Sequence, residues 1–284
     1  MNSLTLGKPL PRISYVQPED PWLRMRLVDT LERMTGRARV ERIYHALKHE
    51  PFDVQRFFGR GLELAGISYP RDDEAEAAIP RDGPLVFIAN HPFGVVDGMM
   101  LCDIAARTRG NFRILIHARL CQDDDLNPFF LPVDFSDTAA ARRCNIATKR
   151  EAISVLKDGG TVLIFPAGGI STTDKVGFGE FSDLPWSTFT AKLIHKSEAA
   201  VVPVFFHGRN SRWFHIASGI SMTLRSALLL YEASNKLGQH FDLSIGAPVR
   251  YPEMAHLDRQ ALTSYLHALT WSLAEQHPQQ PVSG

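Results

Sequence analysis

Apolar positions along the chain change their period partway through, and the change divides the sequence in two. Leu23, Leu27, Leu31 and Met34 recur at i, i+4, i+8 and i+11 with Arg24, Arg26 and Arg33 between them, which predicts an amphipathic, basic helix. A second helical pattern runs through Val40, Ile43, Tyr44 and Leu47, and a third from Pro51 through Phe52, Val54, Phe57 and Phe58, stopping near Gly59 to Gly61. From Leu62 onward short apolar runs alternate with longer periodic stretches. Strands are predicted at Leu62 to Tyr69, Leu85 to Ala89, Phe112 to Ile116, Thr161 to Phe165, Val201 to Phe206, Met222 to Leu230 and Phe241 to Ile245. Helices are predicted at Gly98 to Arg107, Thr138 to Lys157, Thr188 to Lys196 and Asp258 to Glu275, the second closed by the stop Lys157-Asp158-Gly159-Gly160. This alternation predicts an α/β fold: a mixed, mostly parallel sheet covered by helices, with an N-terminal helical extension.

Composition narrows the picture. A chain of 284 residues with 44% hydrophobic content can bury a sizeable core, and a formal charge of zero gives no global signal for nucleic acid. Charge is unevenly placed, however. Residues 1–60 hold eleven Lys or Arg against seven Asp or Glu, while Asp72 to Glu76 is acidic. The expected division is therefore residues 1–61 as a helical segment, its helices either packed on the body of the protein or presenting a surface that rests on anionic lipid, and residues 62–284 as the main domain. Cys102, Cys121 and Cys144 have an odd total and no C-x-x-C spacing, so neither a metal site nor a disulfide framework is expected, and a reducing cytoplasm fits. Met1 to Gln17 lacks a long apolar stretch and no segment approaches a membrane span, so the expectation is a peripheral protein on the inner face of a membrane.

The chemistry concentrates in Asn90-His91-Pro92-Phe93-Gly94-Val95-Val96-Asp97, directly after the run Leu85 to Ala89. Pro92 and Gly94 break the strand, and Asp97 opens the next helix, so its carboxylate sits near a helix N-terminus. An imidazole at a strand end with a carboxylate one turn away is the minimal equipment of a general base acting on an alcohol. A second block, Phe165-Pro166-Ala167-Gly168-Gly169-Ile170-Ser171, follows another apolar strand and predicts a tight turn whose backbone N–H groups can hold an anion. Val202-Pro203-Val204 belongs to a third such strand.

In this order the blocks resemble those of the glycerophospholipid acyltransferase superfamily, whose best-known members acylate lysophosphatidic acid. Asn90-His91 to Asp97 is similar to its His-to-Asp block, Phe165-Pro166-Ala167-Gly168 to its Phe-Pro-Glu-Gly block, and Val202-Pro203-Val204 to its later apolar-Pro block, so the resemblance spans about Leu62 to Val249. There are departures. The gap from His91 to Asp97 is one residue longer than usual, Ala167 stands for Glu, and Gly169-Ile170 stands where Thr-Arg is frequent, so the phosphate-binding Arg is missing. This pattern resembles the divergent branch labelled hemolysin-like, which includes O-acyltransferases of amino-acid-containing lipids.

The resemblance implies that residues 62–284 form an acyltransferase domain moving a fatty acyl chain from a thioester to a hydroxyl of a lyso-lipid. His91 would take the proton, oriented by Asp97, and Asn90, Gly94, Arg119, Phe165, Pro166, Ala167, Gly168, Gly169 and Ser171 would contact substrate or the developing oxyanion. No bound cofactor or metal is called for; coenzyme A or acyl carrier protein would enter as cosubstrate, and the partners are a lipid acceptor and a membrane surface rather than nucleic acid. Other loop cations for a headgroup are Lys175, Arg209 and Arg212, and Pro128-Phe129-Phe130-Leu131-Pro132 lines an acyl channel or belongs to the core. Two competing classes are a serine-type lipid esterase using Ser171, against which the missing G-x-S-x-G elbow counts, and an inactive lipid-binding protein.

Overall fold

The computed structural model describes residues 21–34, 36–173, 181–211, 214 and 222–276. Three helices come first, α1 (Trp22–Met34), α2 (Arg37–Lys48) and α3 (Val54–Leu64), followed by the short α4 (Asp73–Ala78). The alternating part comprises β1 (Leu85–Ala89), α5 (Val95–Arg109), β2 (Arg113–His117), β3 (Phe130–Val133), α6 (Ala139–Lys157) and β4 (Thr161–Ile164). A two-stranded ribbon, β5 (Thr172–Thr173) and β6 (Phe181–Ser182), precedes α7 (Phe189–Ser197) and β7 (Ala200–Phe206). The chain then forms α8 (Met222–Asn235), β8 (Leu243–Ile245), α9 (Tyr251–Met254) and α10 (Arg259–Ser272).

Six strands form one sheet in the order β3-β2-β4-β1-β7-β8. All pair in parallel except β8, which runs antiparallel to β7. Parallel strands connected by helices are covered on both faces, and their side chains divide accordingly. Leu85, Phe87 and Ala89 join Leu163, Val202 and Val204 in one core with α3 and α5, while Val86 and Ile88 join Val162, Ile164 and Val201 in the other with α6, α7 and α10. That two-sided burial is why these segments read as continuous apolar runs. The C-terminal ends of β1, β2, β4 and β7 all emerge at one edge, bringing His91, His117, Phe165 and His207 there.

Three expectations about elements are corrected. Leu62 to Tyr69 is not a strand: α3 continues through Leu64, and Ser68 makes only an isolated bridge to His240. Gly59 and Gly61 do not stop this helix but admit α5, since a Cβ on Gly59 would stand 2.5 Å from Asp103 Oδ1 and one on Gly61 2.7 Å from Met99 Cε. Met222 to Leu230 is likewise helical, because a run such as Ala227 to Leu230 carries no period to separate a strand from a buried helix. Conversely, Phe130–Val133 is a strand. Its Pro132 is tolerated because β3 lies at the sheet edge.

The N-terminal helices also depart from the predicted stripe. Leu23 and Met34, its two ends, are 65% and 78% exposed, whereas Val28 and Glu32 are buried. Glu32 accepts a hydrogen bond from Arg37 at 3.2 Å, and α1 packs against α8. Among the described residues no helix is long and apolar enough to cross a membrane.

Candidate active site

The backbone turns sharply after β1. Gly94 has φ +82°, a conformation L side chains rarely adopt, and a Cβ there would also stand 2.9 Å from Ile170 Cδ1. The glycine thus lets α5 start immediately after the turn and lets the second block pack against the first. Asp97, third residue of the helix, points back toward the chain that precedes it. Its Oδ2 accepts two hydrogen bonds, from Phe93 N–H at 3.0 Å and from the His91 ring at Nδ1, also 3.0 Å. One carboxylate oxygen therefore ties the turn before α5 to the helix and orients the imidazole, while the helix itself carries no side-chain cap at Gly94.

A carboxylate only accepts, so the contact selects the neutral tautomer with the proton on Nδ1, in which Nε2 is the lone-pair nitrogen. Nε2 has no protein partner among the described residues, and the His91 side chain is 18% exposed against 0% for Asp97. Phe165 from the second block stacks on the imidazole, with ring centroids 3.9 Å apart and planes 23° from parallel. The backbone of His91 is held as firmly. Its N–H donates to Ser171 Oγ at 3.3 Å, and Ser171 N–H donates to His91 O at 2.9 Å.

Ser171 is fully buried, and its hydroxyl donates to Asp183, which also accepts from Trp186 Nε1 at 2.9 Å. That geometry directs the hydroxyl proton to a carboxylate instead of an imidazole, which is not the arrangement of a serine nucleophile. Asp183 and Trp186 carried no signal in the sequence, since they lie in an aperiodic segment.

The structure brings His91, Gly94, Asp97, Phe165 and Ser171 together, with Ile170 packed between the two loops. Asn90 adjoins them but turns inward. Its amide donates to Phe206 O at 2.9 Å and accepts from Phe206 N–H at 2.8 Å, extending the β1–β7 pairing by one buried side chain. Replacing Asn90 with alanine is expected to lower stability by about 2–4 kcal/mol, because both Phe206 groups lose a buried partner. A urea melt displaced by under about 1 kcal/mol would show those bonds to be dispensable.

Pro166, Ala167 and Gly168 form the tight turn after β4, in which Gly168 N–H donates to Phe165 O at 2.9 Å. That donor is thereby committed to the turn. Arg119 lies in the short 3-10 turn Ala118–Leu120, its side chain outside the described residues, as are Lys175 and Arg212. Arg209 is exposed after β7. Phe129 packs on Phe52 and Phe112, and Leu131 is fully buried, so at these positions the Pro128 to Pro132 run is core.

A family model described as acyltransferase matches residues 39–266. Two lyso-glycine lipid O-acyltransferases are similar in sequence: that of Phocaeicola vulgatus is 31% identical over 183 residues, covering 60% of this chain and 61% of the relative. That of Bacteroides thetaiotaomicron is 28% identical over 179 residues, covering 60% and 62%. The chain thus spans about three-fifths of these relatives. The crystal structure of the 1-acyl-sn-glycerophosphate (LPA) acyltransferase PlsC from Thermotoga maritima aligns over 91% of this chain and 98% of that one, at 15% identity and a TM-score of 0.47.

Proposed function

Because this chain belongs to the acyltransferase family, we propose that it transfers a fatty acyl group from an acyl thioester to a hydroxyl of a lyso-lipid, with His91 as the general base. The observation that carries this reading is the His91–Asp97 pair, in which a fully buried carboxylate holds Nδ1 of a partly exposed ring whose other nitrogen has no partner among the described residues. In the reaction His91 Nε2 takes the proton of the acceptor hydroxyl while its oxygen attacks the thioester carbonyl. Asp97 then stabilises the imidazolium. Collapse of the tetrahedral intermediate expels the thiolate, which recovers the proton from His91, leaving an ester and a free thiol. Negative charge on the carbonyl oxygen is met by backbone N–H groups of the first turn of α5 and of Gly169, where the helix dipole adds to the attraction.

The amino-acid lipids named for the two relatives make a lyso-lipid with an amino-acid headgroup the favoured acceptor. The test is direct. Purified protein mixed with acyl-coenzyme A or acyl carrier protein and a lyso-aminolipid should release free thiol and form the diacyl product, whereas lipid binding without thiol release would favour the inactive lipid-binding class.

Substrates of this kind reside in membranes, and we place the protein on the inner membrane face through α1. Trp22, Leu23 and Met34 expose apolar area there, on a basic helical stretch. Vesicles containing anionic lipid should bind the protein at low salt and release it as ionic strength rises. Replacing Trp22, Leu23 and Met34 together with serine should weaken that binding by about tenfold or more. Protein left in the supernatant at low salt would remove α1 from the membrane role.

A further inference from the structure

Behind the His91–Asp97 pair lies a charged group that the mechanism above does not use. Lys236, just after α8, is buried, and its Nζ donates to Asn210 Oδ1 at 2.6 Å, Glu232 Oε2 at 2.8 Å and Glu232 O at 3.3 Å. Three acceptors for three hydrogens describe an ammonium, not a neutral amine. Nζ also sits 5.5 Å from the centroid of the Phe93 ring. Phe93 is the residue whose N–H donates to Asp97, and its ring is confined by Phe241 at 4.8 Å and by Gly208, where a Cβ would stand 2.8 Å from Phe93 Cζ.

The other carboxylate oxygen of Asp97, Oδ1, is buried with no hydrogen-bond partner among the described residues. The two hydrogen bonds to Oδ2 and a cation in electrostatic reach act together to offset the burial of such a carboxylate. Burial pulls the Lys236 ammonium below the usual lysine range, and Glu232 followed by Asp97 hold it up. A buried ion pair is seldom more stabilising than apolar residues of the same volume, so packing alone gives little reason for Lys236 and Glu232 beneath Phe93.

We propose that Lys236 is a positioning residue for the reaction, the buried counter-charge that keeps Asp97 a carboxylate and thereby keeps His91 in the tautomer with Nε2 free. Glu232 sets the strength of that charge. It accepts from Lys236 and, through Ser211 N–H at 3.2 Å and the Ser211 hydroxyl, anchors the loop after β7. The remaining ionisable groups around this core have partners of their own. Asp29, Glu32 and Glu41, on the helices packed against α8, face Arg37; Asp183 faces Ser171 and Trp186; His207 faces Ser244. The inference rests on the catalytic reading of His91 and Asp97.

The test is a pH titration of the ring resonances of His91, identified by their loss in His91→Gln, in the unsubstituted protein and in Lys236→Met, Glu232→Gln and the double variant. Removing the cation should make the His91–Asp97 pair take up its proton at higher pH, and removing the anion at lower pH. The midpoints should move by about one pH unit in opposite directions, with the double variant returning toward the wild type. The acid limb of kcat/KM should move with them, at unchanged KM for the acceptor. Folded single variants whose midpoints stay within about 0.2 pH units of the wild type, or move in the same direction, would overturn the assignment. If Lys236→Met fails to fold, Glu232→Gln decides alone, a fall supporting the proposal and no change removing it. Full activity of His91→Ala would instead remove the catalytic reading, whatever the titrations show.

Discussion

Replacing His91 with alanine is expected to cut acyl transfer by about 10²-fold or more, with the melting curve little changed. The loss falls on chemistry because the ring contributes the proton-accepting nitrogen, while the loop is held by atoms the substitution leaves in place. His91 N–H and C=O keep their bonds to Ser171, and Phe93 N–H keeps Asp97. The Phe165 stack and the ring's hydrogen bond to Asp97 are lost, while Asp97 keeps the Phe93 N–H. Asp97→Asn should slow the reaction strongly for a different reason: an amide can still accept from Phe93 N–H but cannot balance an imidazolium. Initial rates with saturating acyl thioester, beside a thermal melt of each variant, check both. A His91→Ala protein turning over within about threefold of the wild type would remove the general base from the mechanism.

Much of this arrangement is legible in the sequence because local signals and tertiary structure agree there. β1, β4 and β7 are buried on both faces, so each is a contiguous apolar run ending in a polar or glycine-containing loop. Helix starts at Thr138 and Asp258 are marked by residues whose side chains accept from Ala141 N–H and Ala261 N–H. The His91–Asp97 relation is local as well, within a strand end and the first turn that follows.

What escapes the sequence depends on partners far away along the chain. Gly59 and Gly61 read as a helix stop because glycine ordinarily is one, and only the closeness of Asp103 and Met99 explains them as an approach between helices. The stripe through Leu23 and Met34 has helical spacing, yet which face a helix buries is decided by its neighbours; here Arg37 draws Glu32 inward. Lys236 lies on the other side of the sheet sequence from His91, and no spacing rule connects them. Asp183 reaches the site through Ser171, a hydrogen bond with no periodic trace.

Lysophosphatidic acid is expected to be acylated about 10- to 100-fold more slowly, in kcat/KM, than a lyso-lipid bearing an amino-acid headgroup, the span corresponding to one charge-assisted hydrogen bond. A phosphate monoester carries nearly two negative charges, and bringing it beside a buried carboxylate requires compensating cations. The position where related sequences often carry arginine is Ile170, and its side chain is not free to be exchanged for a cation in the same place. It is buried, and its Cδ1 occupies the space against Gly94 that a Cβ there would need. The apolar contact that docks the second block onto the first thus takes up the space in which, on the family resemblance, a phosphate-binding arginine would stand. A zwitterionic headgroup demands less compensation, because its own ammonium offsets its carboxylate. Both acceptors should be offered to the purified protein with the same acyl thioester, in detergent below the salt concentration that screens headgroup charge. Equal or faster turnover of lysophosphatidic acid would show that another cation meets the phosphate. In that event Arg209→Gln, on the exposed loop after β7, should reduce turnover of lysophosphatidic acid selectively if Arg209 is the one.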